Sequence, residues 1–337
     1  MADSKYSHYG SNKVIESTGD ALELGKFYDR LLIKRAQPVL AHSLFGQKKS
    51  VAMRKGMTIN FQRFENLKDA TTPLTVATPP TGNDLVSTVI TSKINEYGDF
   101  VTVSDIADMT AVSDVMTAAV ETIGYQMGKT LDSLTRNALL FDYTYDSTKN
   151  TIKRETKDVV VLGKIDFEST TLKLMQNNAP FISEMVTASS GEGTVPLRAA
   201  YWGVISVDLI PMLESTAGFV PVSKYAKQSD VQNGEWGSTG NIRWIVTTNS
   251  TQYEVKKDNA SCNVYPVIVF GKDAYGVVDL DGAAAKTIIK PLGSAGTADP
   301  LNQKATVGWK AFHSVAILNE DYMDISFVSS GAKPKTV

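Results

Sequence analysis

The chain has 337 residues, 42% of them apolar, enough to bury a substantial core and to divide into two or three domains. Its net charge of −2 excludes a protein that is basic or acidic throughout, so any electrostatic role must be regional. No apolar run approaches a membrane span, the opening MADSKYSHYGSNK lacks the apolar stretch of a signal peptide, and a lone Cys262 excludes an intrachain disulfide framework. A product made in a cytoplasm, with no membrane partner, is the expectation.

The first 25 residues are polar and contain glycine, and little periodicity is visible until Leu22, Leu24, Phe27, Leu31 and Leu32 supply a helical stripe. From Lys26 to Arg63 nine basic residues face one acid, a net +8, whereas from Phe64 to Tyr145 eleven acids outnumber four bases, a net −7. Neighbouring segments of opposite sign attract. Lys34, Arg35, Lys48, Lys49, Arg54 and Lys55 are therefore candidate contacts for Asp105, Asp108 and Asp114, between subunits, against the plainer reading of solvated charged faces.

Met57, Ile59 and Phe61 alternate with Thr58, Asn60 and Gln62, the period of a strand with one covered face. A second strand is expected at Leu85–Tyr97. Pro73, Pro79, Pro80, Gly82 and Asn83 lie between them, so the pair reads as a long hairpin with a breaker-rich tip. A two-stranded ribbon is marginal alone in water, so Ile59, Phe61, Val89 and Ile94 are expected to pack on a subunit body, their own or a neighbour's. Gly56 and Gly98 read equally as hinges or as turns that end strands.

Between Asp114 and Phe141, Met116, Val120, Ile123, Met127, Leu131, Leu134, Ala138 and Phe141 recur at spacings of three and four, predicting a helix roughly 39 Å long. A shorter helix is predicted at Phe167–Asn178. Strands are predicted at Ala199–Leu209, Arg243–Thr248, Val264–Phe270 and Thr306–Leu318, with turns at Asn233-Gly234 and Asp281-Gly282. The fold class is α+β, without internal repeats.

Motifs for chemistry are weak. Gly128-Lys129-Thr130 resembles the end of a phosphate-binding loop, but position 123 is Ile where that loop needs glycine, and the helical stripe runs through it. Gly234, Gly237 and Gly240 lack the opening of a dinucleotide turn and read as flexible loop residues. His8, His42 and His313 are far apart with no metal-binding pair, no G-x-S-x-G elbow raises a hydrolytic triad, and Asp279 with Asp281 starts a calcium loop that Gly282 interrupts too early. No catalytic residue, cofactor or metal is expected, and the missing constellation argues against an enzyme.

Five segments carry a resemblance. FYDRLLIKRAQPVLAHSLFG, KGMTINFQRF and LTVATPPTGNDLVSTVITSKINEYGDFV look like the arm and extended loop of one branch of tailed-bacteriophage major capsid proteins. VYPVIVFGKDAYGVVDL and IIKPLGSAGTADPLNQKATVGWKAFHSVAILNEDYM resemble the C-terminal region of the same branch, that of the large-headed, virion-polymerase-carrying coliphages. The similar segments span roughly residues 26–325, in the same order. The resemblance implies the tailed-phage capsid fold shared with encapsulins: an N-terminal arm at 1–55, an extended loop at 56–97, a peripheral domain at 98–198 with its spine helix at 114–141, an axial domain at 199–300, and a return to the peripheral domain with a C-terminal tail at 301–337. It implies a self-assembling shell subunit that forms hexamers and pentamers of an icosahedral head, built in the host bacterial cytoplasm around nonspecifically held double-stranded DNA. Portal, a separate scaffolding protein and a decoration protein are the further partners it implies. An encapsulin-like nanocompartment is the alternative, separated by whether purified particles hold DNA or protein cargo.

Overall fold

The computed structural model describes residues 32, 35, 40–50, 57–64, 67, 69, 71, 82, 84–110, 115–146, 151–155, 157–184, 196–225, 231–257, 260–278, 285–294 and 299–330, without the side chains of 107, 108, 110, 184, 196, 197, 256, 257, 260 and 261. Strand β1 (Gln47–Lys49) is followed by β2 (Thr58–Phe64) and β3 (Ser87–Lys93), which pair antiparallel with Phe61 opposite Ile90 and Gln62 opposite Val89. Next come β4 (Asn95–Ser104), the short helix α1 (Asp105–Thr110), the long helix α2 (Val115–Leu139), β5 (Tyr143–Asp146), β6 (Thr151–Arg154), β7 (Lys157–Val159) and β8 (Val161–Leu162).

Helix α3 (Phe167–Gln176) begins where the Asp166 carboxylate accepts from the free Ser169 amide. Then follow β9 (Ile182–Glu184), β10 (Pro196–Ser206), α4 (Ile210–Glu214), β11 (Phe219–Pro221), β12 (Glu235–Thr239), β13 (Ile242–Thr247), β14 (Tyr253–Lys257) and β15 (Ala260–Phe270). The chain ends in β16 (Tyr275–Val278), β17 (Ala285–Lys290), β18 (Lys304–His313), β19 (Val315–Ile317) and β20 (Met323–Ser329).

Among the described residues these strands form five sheets, and a nine-stranded one is the largest, ordered β11-β12-β13-β10-β15-β20-β8 with β9 on β10 and β14 on β15. Strand β10 shows why the sheet is interior: Trp202 and Val204 enter one buried cluster while Tyr201 and Ile205 enter another, so both faces are covered and the strand reads as a nearly continuous apolar run. The sheets do not divide the chain at 199 and 300. Strand β8 and strand β20 belong to the nine-stranded sheet, whereas β17 joins β18 and β4, and β16 joins β1 and β19.

Helix α2 follows most of its stripe: Val120, Ile123, Met127 and Leu131 pack with Val307, Trp309 and Ala311 of β18, whereas Phe141 lies beyond the helix end and is exposed. Its phosphate-loop-like Gly128-Lys129-Thr130 is helix throughout. A second side of α2 is also covered. A Cβ at Gly124 would lie 3.0 Å from the Leu32 carbonyl oxygen, so glycine lets residues 32 and 35 lie against the helix.

Four local expectations change. The hairpin's second strand stops at Lys93; after buried Ile94 the chain leaves for another sheet, where β4 pairs with β18 from Asn95 opposite His313 to Ser104 opposite Lys304. Gly98 is no hinge but lies within β4 opposite Lys310, where a Cβ would stand 2.6 Å from the Trp309 carbonyl oxygen. The GEWGSTG run is a buried strand, because Gly237 admits the Phe219 ring, which a Cβ would meet at 2.5 Å. The strand predicted at 306–318 breaks at Ser314 into β18 and β19, which pair with different sheets. Gly234 does occupy the positive-φ position its turn requires (φ 80°), while Asp279, Asp281 and Gly282 lie outside the described residues.

Beside that turn, a buried ion pair closes the sheet. Arg243 on β13 donates from Nε to Oε1 of Glu235 at 2.7 Å and from a terminal nitrogen to Oε2 at 2.6 Å, with Trp202 4.6 Å under the guanidinium. The Gln232 amide and the Tyr225 hydroxyl also donate to the Glu235 carboxylate, which meets the need of a buried charge for complete hydrogen bonding.

Candidate assembly surface

The hairpin is anchored at its base. Ile59, Phe61 and Ile94 are buried with Val278, Ala316 and Leu318, so alternation along β2 puts these side chains on the chain's own body. Phe61 enters the space left by Gly276, where a Cβ would stand 2.4 Å from its ring, and is only 1% exposed. Polar contacts reinforce this: Ser92 Oγ donates to the Val315 carbonyl at 3.1 Å, Ser314 Oγ to Ser92 Oγ at 2.7 Å, and the Arg63 guanidinium to the Leu318 carbonyl at 3.1 Å.

Val89 departs from its expected company. It stands opposite Gln62 on the other face of the ribbon and is 55% exposed, because the two-residue period separates it from Phe61. It belongs with Phe64, Leu85 and Val86, all exposed on the same ribbon or its edge. Exposed Phe100 of β4 and Ile288 of β17 line an open cleft with Lys290, Lys304 and Lys310, and α1 exposes Ile106 and Met109, the latter 85%. These large apolar side chains are uncovered within the single chain.

The charged candidates behave differently. Lys34, Arg54, Lys55 and Asp114 lie outside the described residues, as does the side chain of Asp108 on α1. Arg35 is exposed beside α2, and Lys48 is half-buried on β1. Lys49 is engaged within its own chain: its ammonium donates to the Asn60 carbonyl at 2.5 Å and stands 6.0 Å from the Phe61 ring centre. The Asp105 carboxylate accepts from the Ile106 amide at 2.8 Å. Among the described residues, no ion pair joins Asp105 to Arg35 or Lys49.

What does join the basic segment to the acidic helix is a buried junction at Asp132. Its carboxylate accepts from the Ala41 amide at 2.8 Å, the His42 amide at 2.7 Å, His42 Nδ1 at 2.9 Å and Asn249 Nδ2 at 3.0 Å. Burial works to raise the Asp132 pKa, but the charge of His42 and the hydrogen bonds from His42 and Asn249 outweigh it and hold the carboxyl below its ordinary value. Arg136, one turn along, donates to the Asn249 carbonyl at 2.8 Å, and Tyr275 donates its hydroxyl to the His42 carbonyl. Neither Asp132 nor His42 stood out in the sequence as a pair. The available signal was the run Gly124, Gly128, Asp132 and Thr135, small and polar residues at helical spacing along a second face of α2, all buried.

His313, at the end of β18, is buried beside the same helix, with Nε2 3.1 Å from Thr135 Oγ1. Burial lowers its pKa from 6.5 to about 4, against the opposing pull of Asp132. Because the folded value lies below the unfolded one, His313 supports the native state fully above pH 6.5, and that contribution disappears as pH falls toward 4. The loss amounts to about 3 kcal/mol at most. Denaturant titrations at pH 7 and pH 4.5 should therefore show a lower acid midpoint in the native protein than in a His313→Asn variant referenced to its own pH 7 value.

The topology as a whole matches solved capsids. The capsid of Ralstonia phage GP4 aligns with 88% of this chain and 90% of its own, at 14% identity and a TM-score of 0.59. The head of Helicobacter pylori bacteriophage KHP40 aligns with 87% of this chain and 89% of its own, at 9% identity and a TM-score of 0.57. The fold is that of tailed-phage capsid proteins. The cyanophage P-SCSP1u capsid agrees, at 12% identity, 88% and 89% coverage and a TM-score of 0.53. No protein-family model matches the sequence, and no curated protein matches it closely enough to report. In this capsid fold, the base of the hairpin is bound to its own subunit while the apolar residues toward its other end and on the β4 sheet are uncovered.

Proposed function

We propose that this chain is a major capsid protein of the large-headed, virion-polymerase-carrying coliphage branch, assembling as hexamers and pentamers into an icosahedral head around double-stranded DNA. The observation that carries the capsid role is the alignment of nearly nine-tenths of the chain with phage capsids along nearly nine-tenths of theirs, and the branch rests on the resemblance of the sequence segments. The exposed apolar residues of the hairpin, β4 and α1 support it, since a shell subunit needs surfaces that stay uncovered until neighbours arrive. Portal, a separate scaffolding protein and a decoration protein are the partners this role implies, and bacterial cytoplasm is the place of assembly. The arm at 1–55, loop at 56–97, peripheral domain at 98–198 with the return at 301–337, and axial domain at 199–300 are the working units that the resemblance implies, with the nine-stranded sheet running across the boundaries at 199 and 300 through β8 and β20.

Electron microscopy and sedimentation of the recombinant protein test this directly. Closed shells, tubes or capsomer rings are expected; a monodisperse monomer at micromolar concentration would refute it. Particles that retain protein cargo and no DNA after production in the phage's host would favour a nanocompartment.

Charge is proposed to guide the encounter between subunits. Individual exposed pairs contribute only about 0–1 kcal/mol, but several along one contact steer association and are screened by salt. Reversing Lys48, Lys49, Arg54 and Lys55 to Glu should slow shell formation in light scattering, and Lys at Asp105, Asp108 and Asp114 should restore part of the rate. Equal assembly of the reversed arm at low and high salt would remove charge from the account.

A further inference from the structure

Two residues that each carry a buried polar atom, Ser43 and His313, line one small cavity. Among the described residues, Ser43 Oγ and His313 Nδ1 have no hydrogen-bond partner, and both residues line the same void with Leu40, Lys48, Leu131, Val277 and Val278. Both are almost wholly buried, at 7% and 3% exposure. Buried polar groups in folded proteins are nearly always satisfied, by protein or by ordered water.

The other side of His313 limits what can satisfy it. Thr135 has one hydroxyl hydrogen, and Thr135 Oγ1 lies 3.0 Å from the Leu131 carbonyl of its own helix, which takes that hydrogen. His313 Nε2 then carries a hydrogen and donates it to Thr135 Oγ1, leaving Nδ1 with a lone pair and in need of a donor. Chloride, which offers no hydrogen, cannot serve.

We propose that this cavity is a binding site for a single water molecule, held between Ser43 and His313. Water donates to His313 Nδ1 and accepts from the Ser43 hydroxyl, which leaves its second hydrogen and lone pair directed toward the Lys48 rim. The cavity matches this ligand in size, being about as large as one water requires. The site would stitch together three parts of the chain: the segment leading into β1, helix α2 through Thr135, and the β18–β19 break whose Ser314 holds the hairpin through Ser92. Its titratable neighbours are Lys48 from β1, and Asp132 from α2 with His42 beyond it.

Electron cryomicroscopy of the purified protein at neutral pH, in its native assembly and at a resolution that shows other interior waters, provides the test. A density peak within hydrogen-bonding distance of both Ser43 Oγ and His313 Nδ1 is expected, unchanged when chloride in the buffer is replaced by acetate. A peak that disappears with chloride would mean an anion site and overturn the proposal. So would a filled cavity in which Ser43 and His313 bond directly to each other or to another residue. In Ser43→Val the added methyl should occupy the cavity and remove the peak; a peak persisting there would also refute a water held by Ser43.

Discussion

Replacing Phe61 with Asp should abolish shell formation while leaving most of the subunit's secondary structure in place. Phe61 fills the space beside Gly276, in a small cluster with Ile59, Ile94, Val278, Ala316 and Leu318 that is separate from the two clusters covering the nine-stranded sheet. Removing a buried Phe costs about 3–5 kcal/mol before the carboxylate is considered, and burying that charge unpaired costs several more. The cheapest response is for the β2–β3 ribbon to leave the body, since a two-stranded ribbon has little stability to defend. An undocked ribbon cannot present Val89, Leu85 and Val86 in one geometry to a neighbour. Sedimentation should show subunits or small rings only, while far-UV circular dichroism keeps most of its amplitude. Gly276→Ala should act in the same direction more weakly, because its methyl would press on the ring from the other side. Loss of all secondary structure in the Phe61 variant would place this cluster at the centre of folding, and normal shells would show that docking of the ribbon is dispensable.

That experiment also marks where sequence was informative. Alternation along residues 57–64 identified β2 and the inward side chains of Ile59 and Phe61, since period two is imposed by the strand itself, although Met57 lies before the strand and is exposed. The stripe of α2 was equally plain because the helix packs its apolar face on β18. Which body receives Phe61 was not readable: Gly276 is more than two hundred residues away, and a glycine in a strand does not announce which ring it admits. The same ambiguity hid β12, where Gly237, one of the glycines that suggested a loop, makes room for Phe219. The register of the second hairpin strand failed at Lys93 because a chain that switches sheets keeps the same local alternation on both sides of the switch. Charge totals pointed to lysines and surface aspartates meeting between subunits; within the chain, the basic segment meets α2 through His42 and a wholly buried Asp132, one of the eleven acids of its segment.

Asp132 is accordingly the position where a one-residue change should cost the subunit most. Four donors converge on its two oxygens, from Ala41, His42 twice and Asn249, and its side chain is fully buried. Asp132→Ala leaves two backbone amides, an imidazole and a carboxamide without their acceptor in a place water does not reach freely, and breaking a buried pair in this way costs about 3–5 kcal/mol. For a chain of this size that corresponds to a melting temperature lower by roughly 4–7 °C. The effect should be local before it is global. Hydrogen exchange is expected to rise first in residues 40–46, which lose their attachment to α2, and in the loop around Asn249, while the nine-stranded sheet stays protected. Asp132→Asn should fall between, since its carbonyl oxygen can still accept from the two amides although its amine faces His42. Glu121→Ala on the exposed side of the same helix serves as the control and should move the midpoint by no more than about 0.5 kcal/mol. Calorimetry of the soluble subunit decides the matter: if Asp132→Ala melts within a degree or two of the native chain, the junction is not what holds the basic segment to α2, and the attachment rests on the apolar contacts of Leu32, Leu40 and Leu44 instead.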